Sequence, residues 1–265
     1  MNKIISSLVI LSTLVIVGCT TQTTTTVGNY EGNKTIATSF DPEKAAKDRV
    51  GAAQKYLQAN NLRRAKYHLD KAAEHKDDLP DLHFTLAFYY QMAKDYEEAR
   101  NSFERALRLD GDNPEYKNSF ARFLCQQGEY RKAERYFEEA INNPTYTHID
   151  QAYVNAGLCQ DVQGDKEAAL EFYRRALNIN PKLPTALIEM AQYEFTLERY
   201  SRAKLYVDRY RSVARHTPRS LWLALRIESK LNNKDGVSSY ALLLQNMYPD
   251  SAETLEYLES KDKWQ

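Results

Sequence analysis

Apolar positions recur along this chain at two nested intervals. The short one is helical. Ala65, Leu69 and Ala72 stand at i, i+4 and i+7, as do Ala99, Phe103 and Ala106, then Ala133, Phe137 and Ala140, then Ala169, Tyr173 and Ala176. That spacing puts three side chains on one face of a helix. The long interval separates the leading alanines, by 34, 34 and 36 residues. It continues 34 further to Ala203, Val207 and Tyr210, and again to a weaker copy led by Val237. Between copies lies a second apolar stretch: Leu86, Ala87 and Tyr90, then Phe120 and Ala121, then Ala156 and Gly157. Each unit therefore predicts two helices, with the turn at Gly128 in the third copy and Gly164 in the fourth. Pro80, Pro114, Pro184 and Pro218 fall where a first helix begins, a position that tolerates the missing N–H.

A fixed period of this size marks stacked supersecondary units. The pattern resembles the tetratricopeptide repeat, a helix–turn–helix of 34 residues. The resemblance implies an all-α fold, a tetratricopeptide-repeat superhelix over residues 41–265. About six repeats are expected, at 46–79, 80–113, 114–149, 150–183, 184–217 and 218–251, with a capping helix in "SAETLEYLES". Small residues sit where paired helices cross closely, and large ones at i+4 fill the groove between units. No unit buries its apolar face alone, so neighbours must stack. Two departures carry expectations. The 36-residue step predicts a longer loop around "NNPTYTHID", and Tyr210 and Val237, standing where alanine is usual, predict less regular packing in the last two units.

Ahead of the repeats, Lys3 precedes an apolar run of about fourteen residues, Ile4 to Val17. A bilayer-spanning helix needs ~20; the run matches a signal-peptide core instead. Ile16-Val17-Gly18-Cys19 resembles the bacterial lipobox. That resemblance implies a signal peptide over residues 1–18 and a lipid on Cys19. Several acyl chains give stable anchoring, since each buried CH₂ contributes about 0.8 kcal/mol. By resemblance to enterobacterial-type sorting rules, Thr20 after the cysteine, rather than Asp, implies sorting to the outer membrane. Residues 19–40 are threonine-rich and aperiodic, and read as a tether; about twenty such residues reach some ~25 Å.

Composition narrows the chemistry. Basic and acidic residues balance at 36 each, and loss of residues 1–18 removes only Lys3 among them. A neutral chain has no general attraction to nucleic acid. No Gly-rich phosphate loop, nucleophile elbow or H-E-x-x-H motif occurs. His68 and His75 lie seven apart on one helix and read as surface or packing residues rather than metal ligands. Acid pairs such as Glu97-Glu98 and Glu138-Glu139 suit i,i+4 pairing with cations. The chain is expected to be no enzyme and to need no metal or cofactor. Cys125 and Cys159 fall at positions twelve and ten of adjacent first helices. Such helices stand ~8–10 Å apart and a disulfide needs Cα atoms within about 7 Å. The expectation is two buried free thiols.

Solenoids of this kind expose positions two, five, nine and twelve of each first helix on the concave side. Apolar and basic residues recur there: Phe84, Phe88, Arg122, Val154, Leu158, Ile188, Phe195, Trp222 and Arg226. Either superhelical curvature closes that face, or it is a partner groove, since monomers rarely leave large apolar patches open. The groove is the reading taken.

Lipobox, tether and six repeats together resemble the type IV pilus biogenesis and stability lipoproteins, the PilW/PilF family. The most specific segments are "RSLWLALRIESKLNNKDGVSSYALLLQNMYPDS" and "FARFLCQQGEYRKAERYFEEAINNPTY". The resemblance implies a pilotin, which binds the secretin subunit in the periplasm and promotes its outer-membrane localisation and multimerisation. The partners implied are that subunit and, through Cys19, the outer membrane, with no nucleic acid or small-molecule substrate. An adaptor serving peptidoglycan synthesis or outer-membrane protein assembly stays open. An enzyme such as a peptidoglycan hydrolase would need a further catalytic domain.

Overall fold

The computed structural model describes residues 40–260, and among them thirteen α-helices and no strand. The export signal and Cys19 lie outside the described residues. The first six helices are α1 (Pro42–Gln58), α2 (Leu62–His75), α3 (Pro80–Ala93), α4 (Tyr96–Leu109), α5 (Pro114–Gln126) and α6 (Tyr130–Ile141). Then come α7 (Ile149–Gln163), α8 (Lys166–Ile179), α9 (Pro184–Thr196), α10 (Tyr200–Val213), α11 (Pro218–Lys230), α12 (Lys234–Met247) and α13 (Ala252–Glu259). Each odd helix up to α11 packs on the even one after it, and each even helix up to α10 packs on the next odd one. The result is a one-dimensional stack of helix pairs, with α13 laid against α11 and α12. None of the described helices is long and apolar enough to cross a membrane.

The helix ends are written in the sequence. Asp41, Asn61, Asp95, Asn113, Asp165, Thr217, Asn233 and Ser251 each accept a first-turn backbone N–H. Such a cap stabilises by about 1 kcal/mol. Proline opens α1, α3, α5, α9 and α11. Within each pair the turn uses one left-handed residue at the same register: Asn60, Lys94, Gly128, Gly164, Glu198 and Asn232, with φ between 53° and 87°. Lys94 and Glu198 have no intrinsic ease in that conformation, so packing of the flanking helices holds them there.

The repeating alanines are where the helices touch. Ala65, Ala72, Ala99, Ala106, Ala133, Ala140, Ala176 and Ala203 are wholly buried. The large residue four after each leading alanine (Leu69, Phe103, Phe137, Tyr173 and Val207) is at most 3% exposed. Burying a leucine or phenylalanine stabilises by about 1.5–3 kcal/mol. Buried residues gather into three larger clusters along the stack, over residues 46–82, 87–159 and 154–257.

The longer loop is present. Residues 142–148 separate α6 from α7, where residues 110–113 suffice between α4 and α5. Tyr146 from this loop folds inward and is 6% exposed. The helix pairs of the last two units are in less extensive contact than those of the first four, in line with the looser packing expected there, while helix length and turn register stay regular. Their first helices have 13 residues and their second helices 14, and the left-handed turn keeps its place. Tyr210 is accommodated because its ring joins the C-terminal cluster and its hydroxyl donates to the Arg215 carbonyl at 3.0 Å. Val237 is buried in the same cluster.

Candidate partner-binding groove

The first helices α3, α5, α7, α9 and α11 present one row of side chains per register position. Position two is open throughout: Asp81, Glu115, Gln151, Thr185 and Arg219 are exposed. Position nine is also accessible, through exposed Arg122 and Leu158 and half-buried Phe88, Gln192 and Arg226. Position five behaves differently. Phe84 is half-buried, but Asn118, Val154, Ile188 and Trp222 are at most 8% exposed. Val154, Ile188 and Trp222 are therefore floor residues, not open contacts as their register suggested. The reason lies in the neighbouring unit. Position five of one first helix faces position six of the next: Asn155 of α7 donates to Asn118 of α5 at 3.1 Å. Ile188, Trp222 and Tyr257 fall in one cluster on the same logic. A single helix read alone cannot reveal that cover.

At the N-terminal end the groove is aromatic. Phe84 stacks on Tyr116 with centroids 4.5 Å apart, and meets Phe88 edge-on at 5.0 Å. Both Phe84 and Phe88 also contact Phe103. The Tyr116 hydroxyl donates to the Asp81 carboxylate, and burial together with that partner holds the phenol well above its ordinary range. At the other end Arg226 lies over the Phe195 ring at 4.5 Å, a cation–π contact. Arg219 grips Glu189 with both terminal nitrogens, at 2.5 and 2.7 Å. A bidentate pair of this kind fixes the relative placement of α9 and α11.

Between the two ends runs a polar chain that sequence reasoning missed. Asn118 donates to the Tyr146 hydroxyl at 3.0 Å, and that hydroxyl donates to Glu115 at 3.2 Å. Gln151 donates to Asn155 at 3.3 Å, and Asn155 to Asn118. The chain ties α5, α7 and the loop between α6 and α7 together at the groove floor. Burial pushes the Tyr146 hydroxyl up, and the Glu115 charge beside it adds to the rise. The two extra residues of the loop were the available signal, because they deliver Tyr146.

Next to it, Tyr173 reaches from α8 to the α7 C-terminus and donates to Asp161 at 2.5 Å; Lys166 meets the other oxygen of that carboxylate at 2.7 Å. Asp161, Lys166, Tyr173, Glu189 and Gln192 border a small cavity of about 120 Å³. Gly157 is required under the Tyr173 ring: a Cβ there meets ring carbon at 2.6 Å.

The two cysteines are not free. Cys125 and Cys159 form a disulfide between α5 and α7, with Cα atoms 5.9 Å apart. The helix separation of ~8–10 Å is measured between axes. Backbone atoms on facing sides lie nearer by up to two helix radii of about 2.3 Å each. Facing pairs drift from position five against six to twelve against ten, as expected for helices that cross at an angle. His68 stacks on Tyr56, with centroids 5.3 Å apart, and lies 3.4 Å from an Arg49 nitrogen, a packing environment.

Comparison with known proteins bears on what the groove serves. Tetratricopeptide-repeat models match residues 80–113 and 120–184. The type IV pilus assembly protein PilF of Pseudomonas aeruginosa is 29% identical over 206 residues, 78% of this chain and 82% of PilF. An uncharacterized protein of Haemophilus influenzae is 39% identical over 123 residues, 46% of this chain and 69% of that one. The solved structure of Pseudomonas aeruginosa PilF superposes with a TM-score of 0.74 at 27% identity, covering 83% of this chain and 99% of PilF. The crystal structure of PilW, described as a widely conserved type IV pilus biogenesis factor, gives 0.71 at 26% identity, covering 80% and 98%. The chain is a tetratricopeptide-repeat protein, homologous to PilF and sharing the architecture of PilF and PilW, proteins of type IV pilus biogenesis.

Proposed function

We propose that this protein is the secretin adaptor of a type IV pilus system. A lipid on Cys19 holds it to the outer membrane, residues 20–40 give it reach, and the groove of the first helices receives the secretin subunit in the periplasm. The observation that carries this reading is the extent of the likeness to PilF, which spans 99% of that solved chain. The Cys125–Cys159 disulfide supports an oxidising compartment such as the periplasm. Phe84, Phe88, Arg122, Leu158, Phe195 and Arg226 are the contacts proposed, with Val154, Ile188 and Trp222 holding the floor beneath them. Tethering at a membrane raises the effective concentration of both partners, so a modest groove suffices. A scaffold of helix pairs performs no chemistry in this role; it positions a subunit for multimerisation.

The test is secretin multimer analysis in a strain lacking the protein. Restoring the chain restores heat-resistant outer-membrane multimers, and restoring Cys19→Ala leaves the protein soluble in the periplasm with multimers reduced or misplaced. Normal multimers in the deletion strain contradict the proposal. Membrane retention of Cys19→Ala contradicts the lipid anchor.

A further inference from the structure

The register of the repeats exposes an anomaly at the C-terminal end. First helices begin at Pro184 and Pro218, and α13 begins 34 residues on, at Ala252, so it occupies the place of a seventh first helix. In the two preceding repeats position four is held by Leu187 and Leu221, both fully buried. Position seven is held by Met190 and Ala224, at most 2% exposed. The same positions in α13 are Leu255 and Leu258, and they are 53% and 46% exposed. These positions are buried in the two preceding repeats, and no described helix covers them in α13.

The second helix beside them departs in the same direction. Its outward pair is Leu242-Leu243, 59% and 40% exposed. The same two positions hold Asp70-Lys71, Glu104-Arg105, Glu138-Glu139, Arg174-Arg175 and Asp208-Arg209 in the other five repeats. Where every other unit meets solvent with charge, this one presents leucine. The rim has a sign as well. From Gly236 to Ser260 there is no lysine, arginine or histidine, while Asp250, Glu253, Glu256 and Glu259 lie in the same stretch as the leucines.

We propose that α12 and α13 form a docking face for one amphipathic helix of a partner protein, with a cationic polar side. The exposed leucines of α12 and α13, two on each helix, set the apolar face of the occupant, and the acidic residues among them set its charge. This is the helix-in-groove mode of recognition, with apolar anchors at helical spacing and charge complementarity selecting among partners. The inference is independent of the groove of the first helices, which lies on other side chains.

The experiment uses the whole soluble chain and a labelled synthetic 14-residue helix of leucine and lysine, with leucines at i, i+3, i+4 and i+7. Controls are a scrambled peptide of the same composition and a leucine–glutamate counterpart. Fluorescence anisotropy is expected to show binding of the leucine–lysine helix at least tenfold tighter than either control. Leu255→Glu with Leu258→Glu lowers that affinity tenfold or more at unchanged melting temperature, and Glu256→Lys with Glu259→Lys inverts the charge preference. Equal binding of the three peptides, or binding indifferent to the leucine substitutions, overturns the proposal. So does a chain dimer in sedimentation that Leu255→Glu dissolves, since the face then serves a second copy. A tenfold rise in peptide affinity on deleting residues 261–265 also overturns it, because those residues then occupy the face.

Discussion

Cys125 of α5 and Cys159 of α7 are joined across 34 residues of chain, so the third and fourth repeats are covalently one unit. The closed loop contains the turn, all of α6 and the long loop that carries Tyr146. Chain-entropy arguments assign a crosslink of this length roughly 4 kcal/mol of stabilisation. Cys125→Ser with Cys159→Ser is expected to lower unfolding free energy by about 2–4 kcal/mol, read by urea denaturation. A reductant should produce a similar loss in the wild-type chain and none in the variant.

Left-handed turn residues give a second test, of opposite sign. Lys94 and Glu198 occupy that conformation at φ 63° and 57° without the freedom of glycine. Replacing either with glycine should raise stability by about 1 kcal/mol, because the left-handed form costs an L-residue roughly that much. The converse change at Gly164, where φ is 87° and open space surrounds the added carbon, should lower it by a similar amount. Thermal melts of the three variants decide the point; a fall in Lys94→Gly would mean the lysine side chain contributes more than its backbone loses.

The close approach of Gly157 to Tyr173 predicts a local, severe effect. Gly157→Ala drives a methyl into the ring at 2.6 Å and must displace either Tyr173 or α7. Overpacking of this kind costs about 1–3 kcal/mol. Pairing it with Tyr173→Leu should recover part of the loss relative to the sum of the two single changes, a coupling readable in a double-mutant cycle.

His216 makes stability depend on pH. Its Nδ1 lies 3.0 Å from the Ser220 hydroxyl, and its Nε2 is buried without a hydrogen-bond partner. Burial pulls its pKa below 6.5, and Arg211 pulls the same way. The unfolded chain then takes up the proton first as pH falls through about 6.5, so stability is full above that value and declines toward the lowered native pKa. His83, lowered mainly by its burial, acts in the same direction. His216→Gln should flatten the stability profile between pH 7 and 5; an unchanged slope would assign the effect elsewhere.

The stack itself was legible because small residues at fixed spacing leave a helix pair only one way to cross. The caps and prolines then set helix ends within a residue or two. What lay beyond the sequence was contact between units. Val154, Ile188 and Trp222 look open on a single helix and are covered by the next repeat, so Trp222→Arg should unfold the C-terminal repeats rather than weaken binding alone. Cys125 and Cys159 lie within bonding reach because facing backbone atoms approach more closely than helix axes do. Tyr146 lies in the expected longer loop, but that it folds inward onto the groove floor depends on α5 and α7 beside it. In each case the missing quantity is the angle between repeats, which no single unit encodes.

Under the proposed function, the open positions of the first helices bind the secretin subunit. Calorimetric titration of the soluble protein with the purified periplasmic part of that subunit tests it most directly. Arg122 and Leu158 are exposed on the proposed face, and Arg131 of α6 is exposed elsewhere. Truncating or reversing a central contact typically costs about 2 kcal/mol or more. Arg122→Glu with Leu158→Asp is expected to weaken binding at least tenfold at unchanged melting temperature, while Arg131→Glu leaves it intact. Binding that survives the paired change, or that Arg131→Glu weakens equally, would contradict the account.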